Sequence, residues 1–172
     1  MGLIDVYNNM KNYLLMILGV VIVGLSSCSK KADDVVIPPF DSVAQAKADS
    51  VTIQAYLTAH PEITATKGPK GLYYQITTAG TGAHPTENSI VSVDYVGTLP
   101  KGTVFDSGSY TTPLNFRANI IEGWKLGIPL MRKGGKMILI LPSALAYGNS
   151  SPSPSVGANA VMIFNITLKD FQ

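Results

Sequence analysis

Three arrangements of apolar residues succeed one another along the chain: an unbroken run, a helical period, and an alternation at every second position. The unbroken run covers residues 13–25 behind Lys11. It is too short to span a bilayer with ease and has the length of a signal-peptide core. Residues 29–40 mix charge with Pro38-Pro39 and lack any amphipathic period, the pattern of an extended spacer. Asp41 or Ser42 can then cap a helix to about residue 59, with Val43, Ala46, Val51, Ile53, Tyr56 and Leu57 partly at helical spacing and His60-Pro61 closing it. Such a helix stiffens the spacer, packs on the domain behind it, or pairs with a second copy.

After a polar break at residues 64–70, the period becomes two. Residues 71–76 read as a first strand, stopped by the turn-rich Ala79-Gly80-Thr81-Gly82. Val91, Val93 and Tyr95 alternate with Ser92 and Asp94, which turns Tyr95 inward. Two short strands are expected at residues 103–106 and 113–116, and a helix at residues 121–128 that ends before Pro129. Residues 137–141 form a continuous apolar run of strand length, hence a central strand, and residues 148–157, rich in Ser and Pro, a mobile loop. In the last strand, residues 161–169, Met162, Phe164, Ile166 and Leu168 share one face. The expected architecture is α+β: an antiparallel sheet wrapped around one short helix, preceded by an N-terminal helix. The segments divide into a signal peptide at 1–27, a tether at 28–40, the N-terminal helix and linker at 41–66, and a globular domain at 67–172.

Composition and charge narrow the chemistry. The net charge of +2 and the absence of a basic stripe leave no footprint for nucleic acid. The two histidines, His60 and His84, fall in breaks, no Ser-His-Asp arrangement is apparent, and no ligand cluster has metal spacing. No cofactor or metal is therefore expected. The one cysteine, Cys28, has no partner for a disulfide. It closes the apolar run in Leu25-Ser26-Ser27-Cys28, which resembles a lipobox, and that likeness implies lipidation of Cys28 and a membrane anchor. Lys30-Lys31 reads as solvated tether, and Asp5 before Met10 leaves open whether translation begins at Met1 or Met10.

The sole tryptophan, Trp124, stands three residues after Ile121 on the short helix, so both side chains point the same way. A sheet wrapped around that helix puts Trp124 at the base of a concavity lined by Tyr95, Phe105 and Phe164 and roofed by the loop that carries Tyr147.

At these residues the chain resembles the FKBP-type peptidyl-prolyl cis-trans isomerases. The likeness runs in one register through Val93-Asp94-Tyr95-Val96-Gly97, Phe105-Asp106-Ser107, Ile120-Ile121-Glu122-Gly123-Trp124, Ala146-Tyr147-Gly148 and Val156-Gly157-Ala158-Asn159-Ala160, ending at Ile163-Phe164. It implies that a substrate proline sits on Trp124, walled by Tyr95, Phe105, Phe164, Ile120 and Ile121. It further implies that the Ile121 N–H and the Tyr147 hydroxyl hold ligand carbonyls, that Asp106 is the pocket carboxylate, and that Phe116 is a supporting wall. Leu114 stands where many members carry an aromatic, and Val156-Gly157-Ala158 replaces an Ile-Pro-Pro type flap segment; both fall among the expected substrate contacts. The family binds macrolide immunosuppressants, so such ligands join proline-containing polypeptides as expected partners. The flap between Tyr147 and Asn159 is too short for an inserted chaperone domain.

These readings lead to an isomerase of X-Pro bonds in exported proteins, anchored in the bacterial envelope, with the outer membrane as the first choice and the periplasm or cell surface as its face. The alternatives are a non-catalytic module that holds a proline-containing peptide, and a scaffold that dimerises through residues 41–59.

Overall fold

A computed structural model describes residues 40–115 and 119–172. The leader, the tether with Cys28 up to residue 39, and Phe116 lie outside the described residues. The first element is helix α1, Ser42–Ala59. Asp41 is its cap: the carboxylate Oδ1 accepts from the amides of Val43 at 2.9 Å and Ala44 at 3.0 Å, two donors that a helix start leaves without intrahelical partners. Six strands follow: β1 Thr66–Lys67, β2 Tyr73–Thr78, β3 Ile90–Thr98, β4 Val104–Pro113, β5 Lys136–Leu141 and β6 Met162–Phe171. Helix α2, Glu122–Gly127, lies between β4 and β5. Every neighbouring pair is antiparallel, in the order β1-β2-β5-β6-β3-β4.

The period of two explains how this sheet is covered. Met137, Leu139 and Leu141 of β5, with Met162, Phe164, Ile166 and Leu168 of β6, enter one core, which α2 closes with Trp124 and Ile128 just beyond it. Their neighbours Ile140 and Ile163 enter a second core on the opposite face, closed by Ile53 of α1. Ile140 and Ile163 are 0% and 1% exposed, so the continuous apolar run of β5 reflects burial on both sides. Helix α1 thus packs on the back of the domain's own sheet. Gln54 Nε2 donates to the Tyr73 hydroxyl at 3.0 Å to pin it further.

Several expectations need correction. The polar break at 64–70 contains the two-residue strand β1 and the start of a 3-10 turn, Pro69–Gly71, which delays β2 to Tyr73. The two short strands expected at 103–106 and 113–116 are one ten-residue strand, β4, and Leu114 and Asn115 follow its end. The expectation failed because Ser107, Gly108 and Ser109 look like a turn in isolation, whereas pairing with β3 from Ile90 to Thr98 keeps them extended. On α1, Val43 and Val51 are 78% and 64% exposed, so its spaced apolar residues do not form one buried stripe.

Two glycines allow the close approaches on which the concave face depends. Gly123 rests α2 against β5, where any Cβ would collide with the Leu141 side chain. Gly97 of β3 lies under the Phe105 ring, whose Cζ would stand 2.6 Å from an added Cβ. At that point the β3–β4 register slips: Gly97 faces Asp106 and Thr98 faces Val104, leaving Phe105 without a cross-strand partner. Such a slip re-aims a side chain, and here both Phe105 and its neighbour Asp106 reach the same concavity.

Candidate active site

The concavity measures about 550 Å³ and is open to solvent on one side. Trp124 lies at its base and is 5% exposed. Three rings frame it edge to face. Tyr95 stands 5.0 Å away, centroid to centroid, at 77°, Phe164 stands 5.6 Å away at 81°, and Tyr110 stands 6.4 Å away at 66°. Phe105 meets Phe164 at 5.7 Å and 88°. Edge-to-face contacts set the positive rim of one ring against the negative face of the next, which favours fixed angles over sliding stacks. The indole N–H of Trp124 is buried with no partner among the described residues, an unmet donor that the surrounding packing must offset.

The polar groups sit at the rim. Tyr95 donates its hydroxyl to Asp106 Oδ2 at 2.7 Å across the β3–β4 seam, tying the aromatic wall to a carboxylate. Burial first, then the hydrogen bond to Asp106 and the charge of that carboxylate, pushes the Tyr95 phenol up to about 12. Burial, followed by the Asp106 charge, also raises that of Tyr147. Both phenols therefore stay protonated donors through the neutral range. Glu122 lines the rim and pairs with Lys70 at 3.1 Å. Ile121 caps α2 with extended backbone, φ −61° and ψ 145°, and with Ile120 lines the opposite side. Among the described residues no three His, Cys, Asp or Glu side chains group as metal ligands.

Tyr95, Phe105, Asp106, Ile120, Ile121, Trp124, Tyr147 and Phe164 thus meet around one cavity. Leu114 and Val156 do not join them. They are 2% and 0% exposed within the main core, so the expectation that they meet a ligand is corrected: they support the wall from behind. Val156 also accepts from Ser151 Oγ at 2.6 Å, which folds the flap back on itself. Sequence reasoning missed Tyr110 and Asn119, which line the cup with Ala146 and Glu122. Tyr110 was findable: it lies four residues after Asp106 on one strand, and a period of two puts both on one face. Splitting β4 in two hid that relation. His60 and His84 lie outside the cup; His84 Nδ1 faces the Met131 carbonyl at 2.9 Å while Arg132 Nε donates to Nε2 at 3.1 Å.

A six-stranded antiparallel sheet closed by one short helix, with an open cup walled by aromatic rings, has the size and lining of a small-molecule or peptide-side-chain site. Residues 81–169 match the model of the FKBP-type peptidyl-prolyl cis-trans isomerases, and the chain belongs to that family. It is 39% identical over 134 residues to a probable FKBP-type isomerase, FkpA, of Neisseria meningitidis, covering 73% of this chain and 47% of that protein. To the outer membrane protein MIP of Legionella longbeachae it is 42% identical over 102 residues, 58% of this chain and 44% of that one. The crystal structure of a peptidyl-prolyl cis-trans isomerase from Pseudomonas syringae superimposes with a TM-score of 0.63 at 26% identity, covering 78% of this chain and 98% of that one. The chain therefore spans about half the length of these two curated relatives.

Proposed function

We propose that the chain catalyses rotation about X-Pro peptide bonds, with the proline ring seated on Trp124. The observation that carries this reading is the cup itself: four aromatic rings around an indole floor, open at one side, with the Tyr95 and Tyr147 hydroxyls and Asp106 among its lining groups. A peptide bond resists rotation by about 18–20 kcal/mol because resonance gives it double-bond character. As the bond twists, resonance is lost and the carbonyl oxygen sheds partial charge, so the twisted form loses less than the planar form on leaving water. An apolar cup thus favours the transition state over the ground state, and each tenfold of rate takes about 1.4 kcal/mol of that difference. No bond is made or broken to the enzyme.

In this reading Tyr95, Phe105 and Phe164 hold the pyrrolidine, while Ile120 and Ile121 close the far side. The Ile121 N–H and the Tyr147 hydroxyl donate to carbonyls flanking the proline. Asp106 fixes Tyr95 and transfers no proton. Macrolide ligands that mimic a proline-containing peptide compete for the same space. A protease-coupled assay on a proline peptide tests the proposal: wild type accelerates the slow cis-to-trans phase and Trp124→Ala does not, while a wild-type rate equal to buffer would sink it.

The anchoring belongs to the same proposal. The likeness to the Legionella outer membrane protein and the lipobox-like Leu25-Ser26-Ser27-Cys28 together support export, lipidation at Cys28 and residence in the cell envelope, where clients are exported polypeptides. Growth with a labelled fatty acid should mark the wild-type protein and leave Cys28→Ser unmarked and released from membranes; equal label in both would refute the anchor.

A further inference from the structure

We propose that Asp49, on a helix outside the stretch matched to the family, is a positioning residue for the cup: it fixes the turn from which Tyr147 hangs. The proposal rests on the isomerase reading only for its kinetic arm.

Asp49 is 2% exposed, buried where α1 meets the turn Ser143–Leu145. Its Oδ2 accepts from the Ser143 amide at 2.8 Å and from Ser143 Oγ at 2.7 Å, across 94 residues of sequence. Its Oδ1 accepts from Gln45 Nε2 at 2.7 Å. A carboxylate buried among neutral partners is costly even when its lone pairs are met, and an aliphatic side chain would fill such a seam with less penalty. What Asp49 provides that a leucine could not is a fixed place for Ser143.

Ser143 in turn governs the rim. Its carbonyl accepts from the amides of both Ala146 and Gly148, each at 2.9 Å, so Tyr147 is strung between two bonds that share one anchor. The Gly148 carbonyl accepts from the Asn159 amide at 2.7 Å, closing the flap on the same segment. Tyr147 is 43% exposed, and no hydrogen bond to a described residue holds its hydroxyl. Its place over the cup is therefore set through its backbone, and the backbone is set through Ser143. Helix α1 acts on the opposite side of the sheet from Trp124 yet reaches the site by this route.

The test compares Asp49→Leu, Asp49→Asn and Ile53→Ala, each alone, with Asp49→Leu also combined with Tyr147→Phe. Asp49→Leu keeps the seam filled and removes the acceptor, Asp49→Asn keeps one acceptor oxygen, and Ile53→Ala loosens the same helix without touching Ser143. Expected is a fall of about three- to tenfold in kcat/KM for Asp49→Leu, rescue by Asp49→Asn, and less than about twofold change for Ile53→Ala well below its melting temperature. Asp49→Leu with Tyr147→Phe should be no slower than Tyr147→Phe alone, because both changes remove one contact. The NMR signal of the Tyr147 ring, assigned by its loss in Tyr147→Phe, should shift or broaden in Asp49→Leu and stay in place in Ile53→Ala. That signal decides the matter even if wild type shows no turnover, in which case the isomerase reading falls separately. A Tyr147 signal unmoved by Asp49→Leu, or an equal loss of rate in Ile53→Ala, overturns the proposal.

Discussion

On the concave face of the sheet, Trp124, Tyr95, Phe164 and Phe105 meet edge to face and leave about 550 Å³ unfilled; on the opposite face, Ile53, Ile140, Val161 and Ile163 pack aliphatic against aliphatic under α1. Where the two surfaces share strands, β5 and β6, alternate residues serve them: Leu139 and Phe164 face one core, Ile140 and Ile163 the other. Rings with two side-chain torsions, locked at their edges, keep a wide hollow open, whereas the branched aliphatics leave a smaller one of about 260 Å³ beside Ile53. The contrast teaches that burial alone does not mark a site. Trp124, 5% exposed, is nearly as buried as Ile53 at 2%, and the two differ in the hollow beside them, about 550 Å³ ringed by aromatics against about 260 Å³ along the edge of α1.

Truncation at the two positions should separate activity from stability. Trp124→Ala removes the floor of the cup, and we expect it to lower kcat/KM by about a hundredfold or more, along with stability, since losing a large buried ring costs roughly 3–5 kcal/mol. Ile53→Ala should cost about 3 kcal/mol of stability, read by denaturant titration, with turnover of the folded fraction retained. Loss of turnover in Ile53→Ala at full occupancy of the folded state would break the division between the faces. Between these lies Gly123→Ala, which pushes Leu141 aside beneath α2 and should cost about 1–3 kcal/mol by overpacking; an unchanged melting temperature would show that α2 is free to lift.

The two faces were not equally legible. The alternation of Met162, Phe164, Ile166 and Leu168, and the run at residues 137–141, announce strands because a period of two has no other use, and the fold follows from them. The ordered fragments around Tyr95, Phe105, Trp124, Tyr147 and Phe164 announce the cup. The place of α1 could not be read. Only Asp49 and Ile53 are buried on that helix, one of them charged, so it carries no apolar stripe to betray a face. Leu114 and Val156 misled for a different reason. Position along a family pattern says which residue stands near the cup, but not whether its side chain faces the hollow or the packing behind it.

The smallest effect sharpens the rim of the cup. The Tyr95 phenol is raised to about 12 by burial, then by its hydrogen bond to Asp106 and by the Asp106 charge. A raised acid constant means that the fold favours the neutral, protonated phenol. That contribution is whole below the unfolded value of about 10 and disappears as pH climbs through about 12. Ultraviolet titration of tyrosinate should therefore show a late step that Tyr95→Phe removes. Asp106→Asn keeps an acceptor oxygen but deletes the charge, so the late step should move down without reaching the ordinary value, because burial, the first cause, remains. If Asp106→Asn left that step in place, the carboxylate would have no hold on Tyr95. The concave face would then owe its geometry to ring packing alone, as the opposite face owes its own to aliphatic packing.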